Sequence, residues 1–424
     1  MTYNTMQPRR LAGHGRDDPF AWQRQGVYDG GSPTPRHENL LGLRSVMRLM
    51  HAAIGLSVGI SLLGCELHAQ QEPDHRLYQY HYGEISIPPA SEDEPIAENL
   101  SIERAVTYLE GGAKAWANNR GCVSCHTTGW YGILRPQLAR SLGQPDATFR
   151  AFLEERLQER LTEDPEELEQ GVNPAEVVHL AASLASWDAY VDQRLSPETE
   201  QALQLMFSLQ RDDGAWHSPD TWPPFESDAF QLATVAAMGV GLAPGWLEQA
   251  TSPELQRQIA SLREYLRRVP PPHDYARVAL LWADPYLPGV ISADRKQDIV
   301  RMILDRQRPD GGWSIRSFAQ PEQWGRGNRA ERLRGEVDFG DPASDGHQTG
   351  LAVVVLSSAG VPPTHPSVQR GVEWLRRNQR QSGRWWTKSL NTETWHFITY
   401  TGTLYPVMAL AVTSSLASPS SEER

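Results

Sequence analysis

The chain has 424 residues, of which 39% are hydrophobic, and this is enough apolar material for one large buried core. Its formal net charge of −12 argues against a nucleic-acid surface, because phosphate recognition needs clustered Lys and Arg side chains. We therefore expect no nucleic-acid partner.

The first hundred residues are predicted to lie outside the folded body. Residues 1–46 are rich in Gly, Pro, Arg and Asp, and we expect them to be disordered or an over-extended gene start. Residues 47–69 contain an apolar run at 52–63 that follows basic residues and is too short for a stable membrane span. This pattern predicts a secretory signal, followed by a polar linker at 70–99.

The end of that signal has two interpretations. The run Leu62-Leu63-Gly64-Cys65 resembles a lipobox, in which Cys65 becomes a lipidated N-terminus. Alternatively, a peptidase cleaves after the small residue Ala69, or the segment stays as an anchor. In both cases the protein is expected to be exported, as a periplasmic or membrane-anchored lipoprotein. Membrane association would then come only from the N-terminal lipid or anchor.

Alternating helices are predicted from residue 100 to residue 415. Amphipathic outer helices are expected near 101–119, 147–161, 196–210, 252–268, 293–307 and 366–379. Inner helices that are apolar almost all round are expected near 128–142, 174–190, 226–240, 274–284, 344–360 and 395–414. Six such hairpins form two concentric rings, so the fold class is an all-α (α/α)6 toroid or barrel. Residues 416–424 are predicted to be a disordered tail.

The first hairpin contains Cys122-Val123-Ser124-Cys125-His126, a C-x-x-C-H motif. This spacing is typical of covalent haem c attachment, since two thiols meet the two vinyl groups while the adjacent imidazole binds the iron. Haem c is therefore the expected cofactor, with His126 as iron ligand and a redox partner implied. A disulfide between the two cysteines and a zinc site are the alternatives. For the second axial ligand, the candidates are His396, His179 and His347.

A Gln…Gly…Trp turn recurs three times in the second half of the chain. The copies run from Gln210 to Trp216, from Gln307 to Trp313 and from Gln379 to Trp385. These turns resemble the QW repeats of squalene and hopene cyclases, and the double ring is similar to prenyltransferase and terpene-cyclase toroids. The resemblance implies that the turns clamp neighbouring hairpins, with the Gln amide packed on a Trp ring, and that they have a structural role.

The same resemblance implies a ligand but not a reaction. The family's central Asp-x-Asp-Asp run and the metal-binding Asp-Asp-x-x-Asp run are both missing, which counts against cyclisation. The phrase Ser-Asp-x-x-Gln begins two inner helices, at Ser227 and at Ser344. Helix capping explains such residues, but their place at the cavity mouth makes Asp345, His347 and His396 candidate catalytic groups.

About twenty extra residues separate Trp313 from Ser344 when this repeat is compared with the earlier one. The inserted stretch carries five arginines and is expected to be a lid, a docking surface for an acidic partner, or a solvated loop.

Two functions are consistent with these features. The first is an exported haem c protein with a redox or electron-transfer role. The second is a cyclase- or prenyltransferase-like protein that binds or modifies an isoprenoid or other apolar ligand, with the Cys and His residues structural or zinc-binding. A non-catalytic protein-binding toroid is a third, weaker interpretation.

Overall fold

A computed structural model of the chain describes residues 77–391 and 397–416. The predicted signal segment with Cys65, the candidate His396 and the tail beyond residue 416 lie outside this range. None of the helices described is both long and apolar enough to cross a membrane.

Twelve principal helices, α1 to α12, alternate between two layers in the described residues. The outer helices are α1 (Ile102–Arg120), α3 (Ala147–Leu161), α5 (Pro197–Ser208), α7 (Pro253–Arg268), α9 (Ala293–Asp305) and α11 (Pro366–Arg377). The inner helices are α2 (Thr128–Leu134), α4 (Asn173–Trp187), α6 (Ala229–Leu242), α8 (Asp274–Ala283), α10 (Gly346–Ser358) and α12 (Ile398–Val412). Short helical turns join them at Pro136–Leu138, Ala139–Leu142, Pro165–Leu168, Asp188–Asp192 and Trp246–Gln249. The predicted all-α class is confirmed.

The two layers differ in burial because their sequences differ. Five of the six outer helices begin at Ser or Asp caps whose side chains accept a backbone N–H of the first turn, as Ser252 does from Leu255, and α11 is capped in the same way by His365. They bury only one stripe of residues, such as Ile259, Leu262 and Leu266 of α7. The inner helix α4 is buried over nearly its whole length instead. It can be apolar all round because it contacts helices on every side.

The inner helices contact one another in chain order, and α12 returns to contact α2 and α1. Between α10 and α12 the backbones nearly touch: a Cβ on Gly350 would lie 2.4 Å from the backbone nitrogen of Pro406. Only glycine permits this approach. The described helices therefore close into a ring in which early and late parts of the sequence meet.

The recurring Gln…Gly…Trp turns connect consecutive repeats through hydrogen bonds. In the first two turns the Gln amide donates to the carbonyl of the turn glycine and to a carbonyl of the next outer helix: Gln210 to Gln258, and Gln307 to Ser367. Each turn Trp donates its Nε1 hydrogen to a carbonyl of the preceding outer helix, as Trp313 does to Ile303 at 2.7 Å.

The last of these turns closes the ring. Gln379 is buried and makes two bonds with Ser101, the N-cap of α1: its Nε2 donates to the Ser101 carbonyl at 2.9 Å, and its Oε1 accepts from the Ser101 N–H at 2.7 Å. A third bond runs to the Gly383 carbonyl.

Residues 77–99, predicted as a linker, pack against the ring in the structure. A β-hairpin of β1 (Tyr80–Tyr82) and β2 (Ile85–Ile87) lies on α1, with Tyr80 buried. Further on, the Ala97 N–H donates to the Gln379 carbonyl, and Glu94 pairs with Arg384. The segment thus covers the junction where the ring closes. Side chains alternate between the two faces of a strand, and Tyr80 lies on the face towards α1, where its ring is buried.

The insert after Trp313 is folded. It contains 3₁₀ turns at Ile315–Phe318, Pro321–Gln323 and Gly325–Gly327, and a short helix at Ala330–Arg334. Arg316 is almost buried, pairs with Glu336 and donates to the carbonyls of Lys388 and Ser389. Arg326 and Arg334 pair with Asp220 and Glu322. These three arginines pair with acidic side chains of the protein itself, and the lid, docking-surface and solvated-loop interpretations of the insert stay predictions.

We expect Gln379→Leu to lower the free energy of unfolding by about 2–4 kcal/mol, because it removes three hydrogen bonds and leaves the part-buried Ser101 N–H without the Gln379 acceptor. Urea denaturation of both proteins measures this. The exposed Gln204→Leu is the matched control and should cost less than about 0.5 kcal/mol. Equal, small effects from the two variants would show that these bonds do not hold the ring closed.

Candidate functional site

Aromatic rings from separate parts of the chain meet inside the ring of inner helices. Trp130 of α2 stacks on Trp282 of α8 with centroids 5.3 Å apart and planes within 2°. Tyr405 of α12 points its ring edgewise to both, at 5.5 Å and 5.7 Å. We call Trp130, Trp282, Tyr405, His347 and Tyr275 the central aromatic cluster. All five side chains are buried.

His347 joins the cluster through both of its ring nitrogens. Nδ1 lies 2.9 Å from Thr401 Oγ1, and that hydroxyl donates its own hydrogen to the Ile398 carbonyl. Nδ1 must therefore carry the proton, so Nε2 accepts from the Tyr275 hydroxyl at 3.0 Å. The imidazole is neutral, and burial lowers its pKa to about 3.

Asp345 is the N-cap of α10, and its carboxylate accepts hydrogen bonds from backbone N–H groups. One carboxylate oxygen accepts the N–H of Gln348 at 2.8 Å, and the other accepts the N–H of Ile315 at 2.7 Å. Burial raises its pKa to about 6 although these bonds favour the charged form. The contacts are those of a helix cap that also holds the start of the insert. Asp228 caps α6 in the same way, through the Gln231 N–H.

The structure thus places two of the three candidate catalytic residues. Asp345 and His347 are neighbours in sequence, but one faces the backbone of the insert and the other faces the central aromatic cluster. His396 lies outside the described residues. A catalytic role for the three stays a prediction.

The first cysteine of the C-x-x-C-H motif lies against the outer helix α1. Cys122 accepts a hydrogen bond from Trp116 Nε1 at 3.2 Å, and burial raises the pKa of its thiol to about 12. The next backbone N–H, of Val123, donates to the buried Glu176. Burial alone would raise the pKa of Glu176, but Arg160 and Arg156 hold it below its usual range. This end of the motif joins α1, α2, α3 and α4.

The second cysteine contacts a different part of the chain from the first, namely Glu226. The Cys125 thiol donates to the carboxyl group of Glu226, and burial raises the pKa of both groups, that of Glu226 to about 7. Neither Cys122 nor Cys125 is in a disulfide in the structure. Buried thiols with raised pKa values are poor nucleophiles, which argues against an open thiol active site in this conformation.

His126 is half-buried between aromatic rings. Its ring stacks on Phe397 at 4.3 Å and lies edgewise to Trp116 at 4.6 Å, while Nδ1 lies 2.8 Å from Thr127 Oγ1. Burial lowers its pKa to about 3. In the part of the chain that is described, no three His, Cys, Asp or Glu side chains are placed to hold one metal ion. The zinc alternative therefore has no ligand set among these residues.

Two of the three candidates for a second haem ligand lie among the described residues, and both are hydrogen-bonded within the protein. Both nitrogens of His347 are hydrogen-bonded, as described above. His179 donates from Nδ1 to the Ala175 carbonyl at 2.8 Å and is buried beside Trp130, and burial lowers its pKa to about 4. These are the contacts of a core histidine.

Residues 217–228, here called the plug, lie over the mouth of the ring. Phe225 comes within 5.9 Å of the His347 ring, and Glu226 meets Cys125. Asn391 donates to the Pro223 carbonyl at 2.8 Å, and Asn328 of the insert donates to that of Thr221 at 3.0 Å. The plug and the insert together cover the start of the inner helices.

A rim cavity of about 270 Å³ lies outside this cover, between the start of α8 and the insert. Its lining includes Arg277, Arg306 and Phe318. Asp274 pairs with both arginines. The cavity is polar, and its two guanidinium groups already share one carboxylate.

Sequence reasoning missed the central aromatic cluster apart from His347, and it missed Glu226. Trp130, Trp282 and Tyr405 lie in segments predicted as apolar inner helices, where an aromatic side chain is most simply interpreted as core. The available signal was the presence of a tryptophan or tyrosine on several inner helices at once.

One comparison with known proteins supports the fold of the last part of the chain. A family model described as the squalene-hopene cyclase C-terminal domain matches residues 290–415, and it supports a squalene-hopene-cyclase-like fold there. A solved structure described as a protein from Actinoplanes is similar at 14% identity, with a TM-score of 0.37, over 67% of this chain and 89% of that one. No curated protein matches the chain.

The neutral state of His347 predicts a pH dependence. Between its unfolded pKa of about 6.5 and its folded pKa of about 3, only the unfolded chain binds the proton. The contribution to stability is complete above pH 6.5 and falls by about 1.4 kcal/mol per pH unit as the pH drops. Burial raises the pKa values of Asp345 and Glu226, so these two groups stabilise the protein as the pH falls. The contribution of His347 is therefore measured as the difference in stability between the native protein and a His347 variant.

We expect His347→Gln to lose less stability than the native protein between pH 7 and pH 5, by about 2 kcal/mol. Urea denaturation at the two pH values gives this difference. Parallel losses in the two proteins would mean that His347 is not buried in its neutral form.

Proposed function

We propose that the protein is a cyclase- or prenyltransferase-like toroid that binds or modifies an isoprenoid or other apolar ligand at the central aromatic cluster. The observation that carries this proposal is the convergence of Trp130, Trp282 and Tyr405 inside the ring under a separate cover. Aromatic faces offer large apolar contact areas to a ligand and tolerate positive charge that develops on it.

The cover over the ring also supports an enclosed ligand. The plug and the insert are tied to each other and to the loop before α12 by surface bonds, such as the Arg326–Asp220 pair and the Asn391 bond to the Pro223 carbonyl. Exposed ion pairs of this kind contribute at most about 1 kcal/mol each. The insert is also held by the buried side chains Phe318 and Trp324, so an apolar ligand that enters under the cover would have to displace them.

In this proposal the cysteines have a structural role. Cys122 and Cys125 join the first hairpin to α1 and to the plug at the position where later hairpins have a Gln…Gly…Trp turn. Absence of the Asp-x-Asp-Asp run leaves binding without cyclisation as the simpler activity.

The protein purified from its own host should carry a solvent-extractable apolar molecule, and Trp282→Leu should reduce its amount at least tenfold, because the stacked face is lost. Mass spectrometry of the extract measures this. Trp246→Leu is the matched control, since Trp246 stacks on Phe207 of outer helix α5 and not in the cluster. An extract without such a molecule, together with no uptake of added isoprenoids, would overturn the proposal.

Haem c attachment at Cys122, Cys125 and His126 is the second candidate, supported by the motif and by one contact. Thr127 holds Nδ1 of His126, which is the kind of outer partner that orients an axial imidazole and leaves Nε2 for iron. The thiols fit less well as they lie, because each has a protein partner that attachment would replace. When bound, haem would supply redox or small-ligand chemistry.

Protein made with haem-maturation machinery should then show a Soret band, and the peptide bearing both thiols should gain the mass of one haem. His126→Ala should shift or abolish the spectrum. A colourless protein with an unmodified peptide would exclude this candidate and leave the apolar-ligand proposal intact.

Export is part of both candidates. The apolar run at 52–63 after basic residues and the lipobox-like sequence that ends at Cys65 support a periplasmic or membrane-anchored location, where haem c is attached and where apolar molecules are exchanged with a membrane.

A further inference from the structure

Two polar groups in the central aromatic cluster have no hydrogen-bond partner among the described residues. They are the indole N–H of Trp130 and the hydroxyl of Tyr405. Trp130 is 4% exposed and Tyr405 is fully buried, so solvent at the surface does not satisfy them. Their rings are in edge contact at 5.5 Å.

Several aromatic donors of the ring are paired, whereas a few other buried groups, such as the Gln348 amide and the Thr399 hydroxyl, also have no partner among the described residues. Trp216, Trp313 and Trp385 donate to backbone carbonyls at 2.7–2.8 Å. Tyr400, on the same helix as Tyr405, donates to the Leu109 carbonyl at 2.7 Å. A buried donor without a partner costs roughly 1–3 kcal/mol, and native proteins seldom keep one without a ligand or an ordered water.

The surroundings limit what can pair with these donors. Both are hydrogen-bond donors, so the missing partner offers an acceptor such as oxygen. The rings in contact with Trp130 and Tyr405 are Trp282, His179 and His347, and burial lowers the pKa of both histidines so that they are neutral. A carboxylate or diphosphate would find no cation in these contacts, and a buried unpaired anion is far more costly than a neutral oxygen.

We propose that the ligand of this cluster is a neutral, oxygen-bearing isoprenoid, such as an alcohol or a ketone, whose oxygen accepts hydrogen bonds from Trp130 Nε1 and the Tyr405 hydroxyl. The inference rests on the proposed function and narrows it, since it separates an oxygenated ligand from a pure hydrocarbon and from a diphosphate. The apolar part of the molecule would lie against the aromatic faces.

The test compares three probes with one carbon skeleton: geranylgeraniol, the hydrocarbon that lacks its hydroxyl, and geranylgeranyl diphosphate. Labelled probe is incubated with the full chain over a concentration series, and the amount retained after gel filtration gives the affinity. Two hydrogen bonds of ordinary strength predict that the alcohol binds about tenfold or more tightly than the hydrocarbon. The diphosphate should bind more weakly than the alcohol.

Two conservative variants assign the effect to the donors. Tyr405→Phe and Trp130→Phe each keep an aromatic ring but remove one donor, so each should reduce the preference for the alcohol by about threefold to tenfold. Tyr405→Phe should not lower the thermal unfolding midpoint, because its hydroxyl has no partner in the ligand-free protein. Tyr400→Phe is the matched control: it loses a bond that is made, so it should lower the midpoint and leave the preference unchanged.

The outcomes separate the two proposals. Equal binding of alcohol and hydrocarbon would overturn this inference while the proposed function stands, and ordered water would then be the partner of both donors. Tightest binding of the diphosphate would also overturn it. Retention of none of the three probes would overturn the proposed function and this inference together.

Discussion

Ring closure between the last helices and the first is the constraint on which the rest of the structure depends. Gln379 reaches the backbone of Ser101 at the start of α1, and Tyr400 of α12 reaches Leu109 on the same helix. These contacts join residues nearly three hundred positions apart. If they failed, Trp130 and Tyr405 would lie at opposite free ends of an open stack. The inner aromatic surface exists only because the ring is closed.

The hydrogen bonds of the Gln…Gly…Trp turns connect neighbouring repeats around the ring. Each Gln…Gly…Trp turn anchors its own outer helix through the indole. Through the amide, the first two turns reach the next repeat and the third reaches the first repeat, so neighbours around the ring are held at a fixed distance. The first hairpin has no such turn and uses the C-x-x-C-H segment instead. There, Trp116 donates to a cysteine sulfur and the next N–H is taken by Glu176. The motif therefore has a packing role in the first hairpin, whatever chemistry it also performs.

The site and its cover share buried contacts. The central aromatic cluster is held by buried ring contacts and by the paired nitrogens of His347. The cover has partly exposed bonds at its surface, but Phe318 and Trp324 of the insert are buried, and the Trp324 ring lies 5.5 Å from that of Tyr275. Buried apolar packing is costly to disrupt, whereas exposed pairs exchange readily with water. The surface bonds of the cover are therefore its weakest contacts, and its aromatic side chains belong to the same buried core as the cluster.

The sequence by itself determined the helices, because apolar spacing, capping residues and glycine-containing turns act over a few residues. It also identified the turn residues Gln210, Gln307 and Gln379, and it placed Asp345 at the start of an inner helix. Only the tertiary structure decided which side chains meet. The pairing of Trp130 with Trp282, of Cys125 with Glu226 and of His347 with Tyr275 joins residues from distant repeats. Such contacts depend on the rotation of each helix in the closed ring, which local pattern does not encode.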